Sequence, residues 1–238
     1  MLVARRIIRD ASRGGEKPGT LLAAEHVMIE QYGVGRSTLR EALRLLEFQG
    51  VITLKPGPGG GPVLRHPDAS HLASSLMLIM QMTESPFRVL IEARAAIEPM
   101  VSRLAAERMD AESLDRLRAT ITGMRDNLEN ERDFMALNNA FHDIIAHASG
   151  NAVFSYLIDS FSGILDGTSL GLDYPLHRRK AILKAHEEIF AAIEARDPVE
   201  AQARMDEHIS AYAAYAARKF AKVLGAVPDW DSALNMRI

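Results

Sequence analysis

The chain has 238 residues, room for one large domain or two of ordinary size, and a formal net charge of −3. It has no cysteine, which excludes disulfides, thiolate nucleophiles and thiolate metal sites, so any metal must take His, carboxylate, amide or water ligands. The charge is uneven: residues 1–66 carry 10 Lys/Arg against 6 Asp/Glu (+4), and the remainder 18 against 25 (−7). A basic head on an acidic body points to polyanion binding by one part only. No long apolar stretch follows Met1 to Arg6, so no signal peptide is expected. No apolar run, Leu76 to Met80 among them, approaches the roughly 20 residues of a membrane span. A soluble cytoplasmic protein with no membrane partner is expected.

Val3–Ala11 and Leu21–Tyr32 have the periodicity of two helices, and Gly33-Val34-Gly35 then breaks the pattern. Arg36–Gln49 forms a third, with Leu39, Ala42, Leu43 and Leu46 on its inner face. Two short strands, Val51–Leu54 and Pro62–Leu64, flank the Pro/Gly-rich stretch from Lys55 to Pro62, which cannot be helical. Three helices followed by a β-hairpin make a winged helix. Beyond His66-Pro67 almost everything reads as helix. Leu72, Leu76, Ile79 and Met80 recur at helical spacing, and Ser85-Pro86 supplies an N-cap and a first-turn proline for the next helix. Ala111–Leu128, Glu131–Ala148, Ala152–Leu165, Arg178–Ala195 and Val199–Val223 follow, with Gly150-Asn151 a stop and Asp197-Pro198 a start. The expected fold is mainly α: a winged helix-turn-helix at 1–66, a linker and connecting helix at 67–82, a helical domain at 83–224, and a tail at 225–238. The part after the wing reads as an all-α bundle of about seven helices. Met77, Met80, Met82, Met100 and Met109 are expected in its core, since methionine fills irregular gaps.

The start of the third helix reads Arg36-Ser37-Thr38-Leu39-Arg40. In a helix-turn-helix this end faces the major groove, and Arg36 and Arg40, four apart, share one face. Arginine binds guanine edges bidentately, while the Ser37 and Thr38 hydroxyls suit phosphates or base edges. Lys55 and Gly57, in the turn, can approach phosphate or the minor groove. Spacing alone leaves ordinary surface arginines an equal reading. The stretch Gly33 to Glu47 followed by Gly50-Val51-Ile52, with Pro18-Gly19 and Leu22 to Glu25 before it, resembles the GntR family of bacterial regulators. The resemblance implies that a homodimer binds double-stranded operator DNA, one recognition helix per half-site. Two positions depart from the family pattern: His26 stands where arginine is usual, and Gly35 where serine or threonine is usual. Altered operator strength or sequence preference is expected from them.

Asn138 and His142 lie one turn apart on one helix face, and His186 and His208 lie on two later helices. Histidines from three helices can converge inside a bundle, although a lone histidine is more often an ordinary core or surface residue. Leu137 to His142, Ala148 to Asn151, Ala185 to Ile189, Met205 to Ile209 and Glu92 to Glu98 resemble the FCD sensor domain of the FadR subfamily. That resemblance implies a divalent metal (Zn, Ni or Mn) on Asn138, His142, His186 and His208. It also implies a small carboxylate-type effector on Arg94, with the three histidines or their metal. Asn138 replaces a frequent aspartate, which lowers the expected metal affinity. A metal-free polar pocket in which the histidines themselves bind an anion is the alternative.

Two catalytic look-alikes occur. Gly167-Thr168-Ser169-Leu170-Gly171 fits G-x-S-x-G, but that motif needs a strand before it, and a helix is expected there. His186-Glu187 begins like H-E-x-x-H, but position 190 is Phe190. A ligand-responsive transcription regulator is therefore expected, a repressor released by a small organic acid. The competing readings are a metal-dependent or serine hydrolase with a helical fold, and an architectural DNA binder indifferent to metabolites.

Overall fold

Helices α1 (Leu2–Arg13), α2 (Glu25–Tyr32) and α3 (Arg36–Phe48) close a small core in which Val3, Ala4 and Ile7 meet Leu39, Leu43 and Leu46. Ile7 follows Val3 and Ala4 by four and three residues, and Leu39, Leu43 and Leu46 are spaced by four and three, so one stripe of each helix faces inward. The computed structural model describes residues 1–57, 59–66, 68–165 and 173–231. By its internal contacts the chain divides into two units, Met1–His71 and Leu72–Ile238.

In the first unit α2 begins at Glu25, four residues after the helix expected from Leu21. The hairpin takes the residues in between. Leu21 bridges Val63, the Leu22 N–H donates to the Pro62 carbonyl at 2.8 Å, and the Leu64 N–H donates to that of Thr20 at 2.9 Å. This extended segment covers the edge of β2 (Gly61–Leu64), which pairs antiparallel with β1 (Ile52–Lys55), Ile52 opposite Leu64. A two-stranded ribbon is marginal alone, so added backbone pairing outweighs the helical periodicity of Leu21 and Leu22. In the turn, a Cβ on Gly60 would lie 2.2 Å from the Lys55 carbonyl oxygen, which leaves room only for glycine. Glu47 of α3 accepts a 2.9 Å hydrogen bond from the Leu54 N–H, tying β1 to the third helix.

The second unit holds α4 (Ser70–Met82), α5 (Arg88–Arg108), α6 (Ala111–Asp126), α7 (Glu131–Ala148), α8 (Ala152–Ile164), α9 (Leu176–Glu194) and α10 (Pro198–Lys219). A single turn, α11 (Ala221–Leu224), ends the helices of the described residues. Asp110, Asn130, Asn151 and Asp197 each accept a hydrogen bond from an N–H in the first turn of α6, α7, α8 and α10, satisfying donors that a helix start leaves free. α5 and α9 lack such a side-chain cap, and α5 is the one whose cap the sequence leads one to expect. It starts at Arg88, and Ser85-Pro86 lies before it rather than capping it. The Ser85 hydroxyl is engaged by Thr83 Oγ1 at 2.9 Å, and the Phe87 N–H donates to the Ala226 carbonyl, so tertiary bonds replace the expected cap.

α5 is the central helix and packs against α7, α8, α9 and α10. α7 contributes Phe134, Phe141 and Ile145, and α6, packed on α7 and α9, contributes Leu117 and Met124 to one continuous core. Met77, Met80 and Met109 belong to that core, but Met82 and Met100 are exposed, so the expected methionine stripe is only half internal. Trp230 returns to α4, its indole N–H donating to Ser74 Oγ at 3.0 Å and its backbone N–H to Gln81 Oε1 at 2.8 Å.

Candidate functional site

In the first unit Gly33 takes a left-handed conformation (φ 62°) and ends α2. Glycine adopts it at little cost, which lets α3 leave at once and form a helix-turn-helix. Arg36, Ser37, Thr38 and Arg40 are all exposed on the first turns of α3, as are Lys55 and Gly57 in the wing. The N-cap of α3 is Gly35, which has no side chain to close the helix start. Arg40 Nε lies 3.2 Å from Glu25 Oε2, an exposed pair that orients it from α2.

In the second unit His142 of α7, His186 of α9 and His208 of α10 come together, with one ring nitrogen from each within 4.8 Å of the others. All three are buried. His186 Nε2 faces His208 Nε2 at 3.2 Å, and the Phe141 ring stacks on His186 at 4.0 Å between centroids. Burial first, then neighbouring His208, holds the His186 imidazole well below its ordinary range. Burial and His142 push His208 down to about 3. Both rings are therefore neutral at pH 7, as metal ligands must be.

Sequence reasoning quoted Glu98 in a motif but gave it no role. Glu98, 2% exposed, binds Arg94 Nε through Oε1, and its Oε2 lies 2.7 Å from His142 Nδ1 without the alignment of a straight hydrogen bond. Burial alone would raise the Glu98 carboxyl, but Arg94 and His142 outweigh it and hold the group far below the usual carboxylate range. Arg94 is held charged by the same pairing. The missed signal was a glutamate at i+4 from Arg94, on the face that also carries Ile91, Val101 and Ser102, all buried. An unpaired carboxylate is almost never left on such a face. Asn138 is not drawn into this network: it is half-buried, and its amide donates to Asn139 Oδ1 at 3.1 Å.

The histidines fit a divalent cation. Ligands about 2.0–2.1 Å from a tetrahedral zinc stand about 3.3 Å apart, close to the 3.2 Å between His186 and His208. With Nδ1 against Glu98, His142 keeps Nε2 for the metal, the usual way an outer carboxylate orients a ligand ring. Asp143, beside His142, is pushed up to about 6 by burial and by Asp159. The Gly167 to Gly171 look-alike lies outside the described residues, and no helix among them is long and apolar enough to cross a membrane.

A winged helix-turn-helix followed by a helical domain with a buried polar site defines a ligand-responsive DNA-binding transcription regulator. The comparisons agree. The family model described as "Bacterial regulatory proteins, gntR family" matches residues 2–60, and the FCD domain model matches residues 89–211. The chain belongs to the GntR family of bacterial regulatory proteins and carries an FCD domain; the family consists of transcription regulators, not enzymes. It is 31% identical over 207 residues to the HTH-type transcriptional regulator YcbG of Bacillus subtilis (strain 168), covering 87% of this chain and 85% of that protein. LutR, another HTH-type transcriptional regulator of that organism, is 28% identical over 209 residues, covering 83% of this chain and 92% of its own length. The solved structure of a Streptococcus agalactiae GntR superposes with a TM-score of 0.75 at 25% identity, covering 90% of this chain and 98% of that one.

Proposed function

We propose that this regulator is a homodimeric repressor that leaves its operator when a small organic acid enters the helical unit. The observation that carries the proposal is the convergence of Arg94, Glu98 and three buried histidines in one site. Arg94 suits a carboxylate, because a guanidinium offers two parallel donors. His142, His186 and His208 would hold the divalent metal (Zn, Ni or Mn), which supplies an electrophilic centre for an effector oxygen. The metal-free alternative is disfavoured, because histidines held neutral have little charge to offer an anion. Asn138, one turn before His142, would add an amide oxygen as a fourth ligand on leaving its bond to Asn139. Arg36, Ser37, Thr38 and Arg40 would enter the major groove, with Lys55 and Gly57 against the backbone. The effector favours one placement of the two DNA-binding units over others, and so changes their match to paired half-sites.

Capture of genomic fragments by the purified protein, followed by sequencing, tests the DNA arm. A short palindrome beside a few operons is expected, and random recovery would count against specific operator binding. Metal content after purification tests the other arm. His142→Ala should lose the metal that the unaltered chain retains, and full retention would move the site elsewhere.

A further inference from the structure

A second cation of the helical unit has no counter-charge among the described residues. Arg178, in the first turn of α9, lies half-buried with its guanidinium 4.6 Å from the centre of the Tyr215 ring. Its Nε is shielded from solvent and has no hydrogen-bond partner, and no carboxylate pairs with it among the described residues. A positive charge in the first turn also opposes the helix dipole, so its position is unfavourable twice over. The ring of Tyr215 offsets part of this, since a cation over an aromatic face gains modestly.

The placement links Arg178 to the site already described. His208, Tyr212 and Tyr215 occupy one face of α10 at i, i+4 and i+7. Arg94 stands 5.8 Å from the centre of the Tyr212 ring, and Tyr212 shares a side-chain hydrogen bond with buried Tyr174. These two tyrosines lie within electrostatic reach of both arginines, and the charge of Arg178 is also felt at His208. Arg94 thus faces Tyr212 and Arg178 faces Tyr215, two rings on one face of α10. The two arginines differ in that Arg94 is paired with Glu98, whereas Arg178 has the Tyr215 ring but no carboxylate among the described residues.

We propose that Arg178 is a second anchor of the effector site and that the effector is a small dianion, one acidic group on the Arg94 side and the other on Arg178. The proposal rests on the reading of Arg94 as an effector-binding residue. Burying a cation without a partner is costly, whereas a ligand that brings its own charge converts that cost into a charge-assisted hydrogen bond. The second group is a carboxylate or a phosphate, which share this chemistry.

Titration calorimetry and thermal shift on the full chain, with and without added zinc, decide the matter using matched acids. Butyrate is paired with succinate, hexanoate with adipate, and glycerate with 3-phosphoglycerate. One dianion should bind at least about tenfold more tightly than its monoanionic partner, a difference typical of a charge-assisted contact. The pair in which this occurs tells carboxylate from phosphate. Arg178→Gln should erase the preference, weakening the dianion far more than the monoanion. Arg178→Lys, which keeps the charge, should retain part of it and shows that the site still folds. Arg94→Gln should weaken both members of the pair. A wild-type preference for the monoanion, or a dianion preference that survives in Arg178→Gln, overturns the proposal; if Arg94→Gln still weakens binding, the organic-acid reading survives. Binding of no acid by the wild type overturns both.

Discussion

The two units keep their candidate site residues in opposite environments. In the first, Arg36, Ser37, Thr38 and Lys55 stand in solvent around a small apolar core to which they contribute nothing. In the second, Glu98, His142, His186 and His208 are themselves part of the interior. An exposed side chain can change with little effect on folding, whereas a buried charge must have a partner or the fold suffers. Stability and function are therefore separable in the DNA-binding unit and merged in the sensor.

The largest effect should come from breaking that merger. Glu98→Leu leaves Arg94 buried without its carboxylate and should destabilise the second unit by about 3–5 kcal/mol, read by urea denaturation. An unchanged midpoint would mean that Arg94 escapes to water and that the site is less closed than it stands here. The matching loss in the first unit should be near zero for any single change at Arg36, Ser37 or Thr38.

Acid should act in the same direction, more gently. In chelator-treated protein, an unfolded histidine takes up its proton near pH 6.5, while folded His208 does so only at about 3 and folded His186 is likewise depressed. Below pH 6.5 the unfolded state thus binds more protons, so this stabilisation is complete above that pH and declines as the pH falls through it. Asp143 opposes the trend, because its folded carboxyl protonates at about 6 against 3.8 when free. Asp159, raised by burial, opposes it too, but these two partly buried carboxyls offset only part of two fully buried imidazoles, and the urea midpoint should drop between pH 7 and pH 5. A flat or rising midpoint would show that the histidines are reached by water.

The smallest change in stability, with a clear change in function, is expected at Arg36. Arg36→Ala should weaken specific operator binding by roughly 1–3 kcal/mol and leave the melting temperature within error. Operator affinity equal to the unaltered chain would remove Arg36 from the contacts, and a lowered melting temperature would blur the contrast between the units.

The same contrast explains what the sequence made legible. The recognition helix was readable because its functional residues are adjacent and its inner face is periodic: Leu39, Ala42, Leu43 and Leu46 leave Arg36 and Arg40 no place but outside. Helices α6 to α10 were readable for the same reason, with Gly150 and Asp197 as punctuation. The start of α2 was not, because Leu21 and Leu22 fit a helix locally and are claimed by strand residues some forty positions away. Glu98 was visible yet mute, since its meaning depends on His142, more than forty residues further on. The periodicity makes Arg178 only the first residue of a helix. The assembled bundle brings it beside Tyr215 of α10 and leaves it without a carboxylate among the described residues.

The chain has one tryptophan, and it sits on α4 through Ser74 and Gln81. The protein therefore carries its own optical probe at the helix that follows the wing. Excitation selective for indole reports on that contact alone, with no label and no background from a second site. A shift in its emission when an acid is added would time the arrival of the signal at α4, and loss of the Ser74 hydroxyl would give the spectrum of the detached tail for calibration.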